Sequence, residues 1–263
     1  MHLARRPFGG VLLGVVVALA PRVARAQDLG PTPHAPGALG LRVGAESVWA
    51  SFDVEGARGN FAGVSGRFDW RASEAVTLRV LVPVYSLSLD GSPSRVGVGD
   101  SELRLRVRVY DTHPWRVLAG IADGLPTGST SLGLGQGASQ LTPYVTAGYR
   151  VGSLVVYANL ADAVTVRSSD KAAPVDYVDR STDHEARGTL GAIFEVGEHL
   201  YGAAFTTGTA VLVPGSTSAL ATAGAAVGVL PASMLKLLLG GEVPVAGEHR
   251  FDVKVFFDAY VFF

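Results

Sequence analysis

Between Leu39 and the C-terminal Phe263, apolar side chains recur at every second position in run after run. That period belongs to a strand whose two faces meet different surroundings. Val98 to Tyr110 displays it best: Leu103, Leu105, Val107 and Val109 fall on one face, and Asp100, Glu102, Arg104, Arg106 and Arg108 on the other. Wound as a helix, the same segment would scatter arginine all round. Elsewhere Leu78, Val80, Val82 and Val84 lie opposite Thr77, Arg79 and Tyr85. Leu235, Leu237, Leu239, Val243 and Val245 lie opposite Lys236 and Glu242. Phe251, Val253, Val255, Phe257, Val261 and Phe263 lie opposite Asp252, Lys254, Asp258 and Tyr260. The pattern predicts twelve strands, near 40–52, 60–71, 75–89, 98–110, 114–125, 139–150, 153–164, 187–196, 199–212, 219–230, 233–245 and 250–263.

The connections between them alternate in length. Those at 72–74, 111–113, 151–152, 197–198 and 231–232 are short; those at 53–59, 90–97, 126–138, 165–186, 213–218 and 246–249 are mostly longer. Transmembrane barrels of the bacterial outer membrane have short periplasmic turns and longer outer loops. An even strand count from a periplasmic N-terminus puts every short connection on the periplasmic side. A soluble sandwich has no reason for this rhythm, and its strands usually stop at about five or six residues. The expected fold is therefore all-β, a transmembrane antiparallel β-barrel of twelve strands. Trp49, Phe52, Phe61, Phe68, Trp70, Tyr110 and Trp115 fall near strand ends, where interfacial girdles occur.

The N-terminus reads as an export signal. Arg5 and Arg6 precede the apolar run Val11 to Ala20, and Ala24-Arg25-Ala26 supplies the small residues a signal peptidase requires. Residues 1–26 are expected to be cleaved, 27–38 to form a flexible periplasmic tail, and 39–263 to form the barrel. Cleavage removes four arginines and no acid, leaving 18 basic against 23 acidic residues, a charge of −5. Beyond Ala26 no apolar run approaches the ~18 residues of a membrane helix, so a mature chain in the membrane must cross as a closed barrel. With 48 % hydrophobic and 17 % charged residues the chain is not disordered, and 33 glycines disfavour a helical bundle. There is no cysteine, which excludes disulfides, thiolate metal sites, a cysteine nucleophile and a lipoprotein anchor. Neither sequence nor charge suggests a nucleic-acid partner.

Gly97-Val98-Gly99-Asp100-Ser101-Glu102-Leu103-Arg104-Leu105 resembles the Gly-x-Gly-Asp-x-x-Leu strand opening of an outer-membrane family named after the MetA pathway of phenol degradation. Ala122-Asp123-Gly124-Leu125-Pro126-Thr127-Gly128 is similar to that family's Leu-Pro-Thr-Gly element, and Leu132-Gly133-Leu134-Gly135-Gln136-Gly137 leads into the next strand as in the family. The resemblance covers about residues 95–160; beyond it only strand rhythm and C-terminus match. It implies a barrel of twelve or a similar number of strands and a transport role, with no catalytic residues and no solute to carry over. A terminal Phe263 with apolar residues at alternate positions back to Phe251 resembles the C-terminal signal of outer-membrane barrels, read by the barrel assembly machinery.

Gly97-x-Gly99 lacks the third glycine and the strand–loop–helix setting of a dinucleotide loop; it reads as a turn entering a strand. His113, His184, His199 and His249 fall at predicted turns or loops, without partners at ligand spacing. A barrel lipase needs a serine and a histidine together on adjacent strands, and no strand-borne histidine is suitably placed. Asp170, Asp176, Asp179, Asp183 and Glu185 alternate with Arg167, Lys171 and Arg180 in the 165–186 loop and with Arg187 just after it. The spacing is not that of a calcium loop, and the loop is long enough to fold inward. No cofactor or metal is expected. A charge facing lipid at mid-depth costs about 2–4 kcal/mol, so Arg104, Arg106 and Arg108 must face inward. There they either pair with Asp100, Glu102 and Glu195 and plug the barrel, or form a cationic wall. The small face Thr222, Gly224, Ala226 and Gly228 on the opposite wall would leave space before them. Candidate lumen-lining, solute-selecting residues are Arg104, Arg106, Arg108, Asp100, Glu102, Arg79, Lys254 and Glu242. The expected function is passive or facilitated diffusion of small solutes, with anionic or aromatic ones as candidates, in contact with outer-membrane lipid and lipopolysaccharide. The alternative is a non-transporting adhesion or structural barrel acting through its outer loops.

Overall fold

The computed structural model describes residues 40–54, 57–166, 178, 183–213, 218–232 and 234–263. The expected signal (1–26), the tail (27–38) and most of the 165–186 loop lie outside the described residues. The strands are β1 (Leu41–Val54), β2 (Ala57–Arg71), β3 (Val76–Leu89), β4 (Arg95–Val98), β5 (Ser101–Thr112), β6 (Trp115–Leu125), β7 (Ser139–Val151), β8 (Leu154–Val166), β9 (His184–Val196), β10 (Leu200–Val211), β11 (Ala219–Ala232), β12 (Leu235–Gly247) and β13 (Val253–Phe262).

Every pairing is antiparallel and follows chain order, and β1 pairs with β13, so the sheet closes on itself. Closure removes the free edges that would leave backbone groups unpaired in lipid. Thirteen strands make twelve staves, because β4 and β5 both pair with β3. Val84 opposes Val98 and Leu81 opposes Glu102. The stave therefore gains one residue around Gly99–Ser101, and its alternation changes phase there. A second irregularity at Arg108/Tyr110 skips Val109 in the pairing with β6. Each re-aims the side chains beyond it, as bulges do.

The alternation is borne out face by face. In β2, Phe61, Gly63, Ser65, Arg67 and Asp69 are buried while Ala62, Val64, Gly66, Phe68 and Trp70 are exposed. The exposed set includes Val64 at 57 %, Leu160 at 69 %, Leu190 at 62 % and Leu239 at 57 %. An apolar surface running round a whole barrel belongs against acyl chains, not water. The chain is a membrane-spanning barrel of the bacterial outer-membrane type. At its short-turn end the exposed Trp70, Tyr110, Trp115 and Tyr149 mark an interface, with the Trp115 and Tyr149 rings 4.7 Å apart. Gly152 and Gly197 supply the positive φ of two tight turns there.

Three expectations are corrected. The 53–59 connection is not a long loop: β1 and β2 pair up to Val54↔Ala57, leaving 55–56 between them. Phe52 and Phe61 are not girdle residues, and Phe251 does not face lipid; all three are buried in one cluster inside the long-loop end. Phe251 precedes β13, so the parity of the strand does not apply to it.

Candidate functional site: the barrel interior

Toward the short-turn end the lumen holds a tight ionic network contributed by β1, β2, β3 and β13. Arg67, fully buried, donates from Nε and Nη2 to both oxygens of Asp69 at 2.9 and 2.7 Å, and from Nη1 to Glu46 and the Tyr260 hydroxyl at 2.9 Å each. Asp69 also accepts from Arg79 Nε at 2.8 Å and lies 3.5 Å from Arg42 Nε. Opening such a pair is costly, because it leaves a buried charge uncompensated. Arg79, expected in the lumen, is there.

The predicted arginine row sits on β5 with graded surroundings. Arg104 is buried, 2.7 Å from Glu102 and 5.7 Å over the Tyr144 ring. Arg106 donates to the Thr77 hydroxyl at 3.2 Å. Arg108, beside the bulge, is half-exposed and lies 3.1 Å from Asp111. Glu195 does not join the row; it forms a two-pronged pair with Arg150 at 2.6 and 2.8 Å. Across the lumen Lys254 pairs with Glu242 at 2.9 Å, and Glu242 also accepts from Thr222.

The expected space in front of the small face of β11 is filled. A Cβ placed on Gly224 would strike the Phe205 ring, and one on Gly228 the Tyr201 ring. The same arrangement sets Tyr85 over Gly63 and Gly99, Tyr144 over Gly120, Tyr157 over Gly191 and Tyr260 over Gly44. Each ring leans sideways onto a neighbouring strand where no side chain stands, as aromatic residues do over sheet glycines. These glycines are sockets for rings, not vacant wall.

At the long-loop end the Gly-x-Gly-Asp and Leu-Pro-Thr-Gly elements lock together. Asp100 accepts N–H groups from Gly128 at 2.8 Å and Gln136 at 2.7 Å. The Thr127 hydroxyl accepts the Ser101 N–H at 2.8 Å. A Cβ on Gly128 would come within 2.8 Å of Gly135 Cα, so both positions need glycine for the loop to pass this close. Asp100, expected to face solutes, thus ties down the 126–138 loop at the break between β4 and β5. The tie delivers Leu134, 1 % exposed, into a cluster with Ala50, Phe52, Phe61, Tyr85, Leu87, Val178 and Phe251. The expectation of inward folding for the 165–186 loop touches described residues here at Val178. Arg250, beside Phe251, reaches Glu185 on β9 at 3.0 Å, and Glu185 also pairs with Arg187 at 2.7 Å. Burial pulls the Arg250 guanidinium down to about 9, against the Glu185 carboxylate. An apolar plug and a buried ionic cluster thus cap the lumen side by side.

His184 corrects a sequence expectation. It opens β9, and its Nε2 lies 2.8 Å from Asp162 on β8, on the outer face. Among the described residues, Val164, Ala186 and Leu212, which flank the pair on that face, carry no hydroxyl. Among the described residues no group of three potential metal ligands occurs.

No family model matches the sequence, and no curated protein matches it. The fold is similar to that of an outer membrane channel from Pseudomonas putida F1, with a TM-score of 0.68 at 13 % identity over 89 % of this chain and 99 % of that one. The β domain of the Bordetella autotransporter BrkA gives 0.55 at 12 % identity, over 86 % of this chain and 100 % of its own. The translocator domain of the Neisseria meningitidis autotransporter NalP gives 0.51 at 12 %, over 92 % and 94 %. Likeness at these identities establishes the fold, an outer-membrane β-barrel.

Proposed function

We propose that the barrel is a gated channel for passive diffusion of small solutes across the outer membrane, with anionic or aromatic solutes favoured. The composition of the interior carries this reading. Among the described residues seven buried cations (Arg42, Arg67, Arg79, Arg104, Arg187, Lys236 and Arg250) accompany five buried anions (Glu46, Asp69, Glu185, Glu242 and Asp258). A barrel serving only as a scaffold could fill its lumen with apolar side chains, often at no loss of stability. A charged lumen with a cationic excess is instead what anion pores use. The fold likeness to a channel and the resemblance at 95–160 to the family named after the MetA pathway point the same way, without fixing the solute. In this reading Arg79, Arg104, Arg106, Arg108, Glu102, Lys254 and Glu242 meet the solute, and the plug of Phe52, Leu134 and Phe251 is a hydrophobic gate. Asp100 holds that gate in place. The strand ending at Phe263 is the segment the assembly machinery recognises, and no enzymatic step is assigned.

Planar bilayers test the reading. Replacing Arg104, Arg106 and Arg108 together by glutamine should lower the anion-to-cation permeability ratio several-fold. Unchanged selectivity would reject the cationic wall. Absence of both conductance and liposome swelling by any small sugar or aromatic acid would favour the adhesion or structural alternative.

A further inference from the structure

The ionic cluster beside the plug has more donors than acceptors. Glu185 is fully buried and takes hydrogen bonds from Arg187 Nε and Nη2 at 3.0 and 2.7 Å and from Arg250 Nη2 at 3.0 Å. Both guanidiniums are about 1 % exposed. Arg187 Nη1, Arg250 Nε and Nη1, and the Thr209 hydroxyl directly across the strand pair from Arg187 are buried and have no hydrogen-bond partner among the described residues. Glu248, two residues before Arg250, accepts the Ser218 hydroxyl at 2.6 Å. Among the described residues two cations thus share one contacting carboxylate, and four polar groups that can donate stay unpaired, each at a desolvation cost. Buried donors in such number mark the place of a missing acceptor.

We propose that Arg187, Arg250 and Thr209 form a binding site for the carboxylate of a small organic anion. A guanidinium fork matches a planar two-oxygen acceptor, whereas Glu185 gives Arg187 only Oε2 and Arg250 only Oε1. Among the described residues only Glu185 contacts the two guanidiniums, and Glu248 acts on Arg250 without a direct bond, so a monoanion suits the remaining donors better than a phosphate dianion. Phe251, a member of the apolar cluster, follows Arg250 in sequence, which suits an acid with an apolar body. Arg250 comes from the β12–β13 connection and Arg187 from β9, so a ligand bridging them holds that connection against the wall. As a station on a solute route the site rests on the channel reading; as a binding site it does not.

Saturation-transfer NMR on the full barrel in detergent micelles, with benzoate as probe, tests it. A saturable signal is expected for the native chain and for R58Q, whose exposed arginine lies outside the lumen. R250Q and R187Q should each weaken binding at least tenfold, and T209V several-fold, with folding checked by heat-modifiable gel mobility. R250Q alters a connection rather than a stave, so it remains informative if R187Q fails to assemble. No saturable signal, or equal binding by R250Q, overturns the proposal. Inorganic phosphate displacing benzoate better than acetate does overturns the carboxylate assignment. Benzoate binding in a barrel that passes no solute sinks the channel reading alone, and solute passage with no benzoate binding sinks this proposal alone.

Discussion

Asp100 carries the sharpest mechanical prediction, because one carboxylate holds the 126–138 loop in the mouth. It accepts two backbone N–H groups, at 2.8 and 2.7 Å, from positions eight residues apart in that loop. Hydrogen bonds to a charged group contribute about 1.5–3 kcal/mol each. Both donors are only part-buried, so water recovers some of the loss when the carboxylate is removed. A net cost of about 3 kcal/mol to the closed loop follows for Asp100→Ala, or roughly a hundredfold in the closed-to-open ratio. Burial of Leu134, worth about 1.5–3 kcal/mol, still favours closure, so the loop loosens without abandoning the lumen. Asp100→Asn keeps one acceptor oxygen and should show about a tenfold effect, at ~1.4 kcal/mol per decade. Single-channel recording reads this as open probability. Wild-type open probability in a folded Asp100→Ala barrel would refute the claim that this tie keeps the gate shut.

Four further outcomes are expected. Arg67→Met leaves Asp69 and Glu46 short of their shared partner, and urea unfolding in lipid vesicles should register a loss of about 3–5 kcal/mol; a neutral result would mean the network contributes nothing to stability. Gly228→Ala and Gly224→Ala drive a methyl into the Tyr201 and Phe205 rings and should each cost about 1–3 kcal/mol in the same assay. Gly208→Ala, with nothing within 4 Å of the added carbon, should stay within about 0.5 kcal/mol, and equal costs at all three would remove the socket explanation. Leu239→Arg places a charge on the exposed face of β12 and should cost about 2–4 kcal/mol near the bilayer midplane, measured as a shift in the unfolding midpoint at unchanged slope.

The staves were legible because each strand carries its own two-faced pattern, and lipid outside with ions inside makes that pattern strict. Features that join two strands were not. The sockets at Gly63, Gly191 and Gly228 depend on which residue stands opposite, and register is not written in either strand alone. Spacing within one segment leaves the Thr222–Gly228 face as open space, whereas the two rings filling it, Phe205 and Tyr201, come from β10. The break at Gly99–Ser101 had a local sign, two glycines and an aspartate at a strand opening, but its consequence appears only once the Leu-Pro-Thr-Gly loop is folded against it. His184 falls in a predicted loop because β9 begins three residues earlier than its apolar alternation suggests. Arg104 is buried and Arg106 and Arg108 are half-buried on one face of β5, the side that the cost of a charge facing lipid requires. Glu102, on the same face two residues from Arg104, is one of the acids the pattern offers as a partner, whereas Thr77 and Asp111 emerge only from the register and the bulge.

The absence of native cysteine allows a direct test of the arrangement on which everything else rests. Single cysteines at 103 through 107 of β5, spin-labelled in reconstituted vesicles, report accessibility to oxygen dissolved in the acyl region. The account predicts high values at 103, 105 and 107 and low values at 104 and 106. A flat profile, or maxima at the arginine positions, would contradict it.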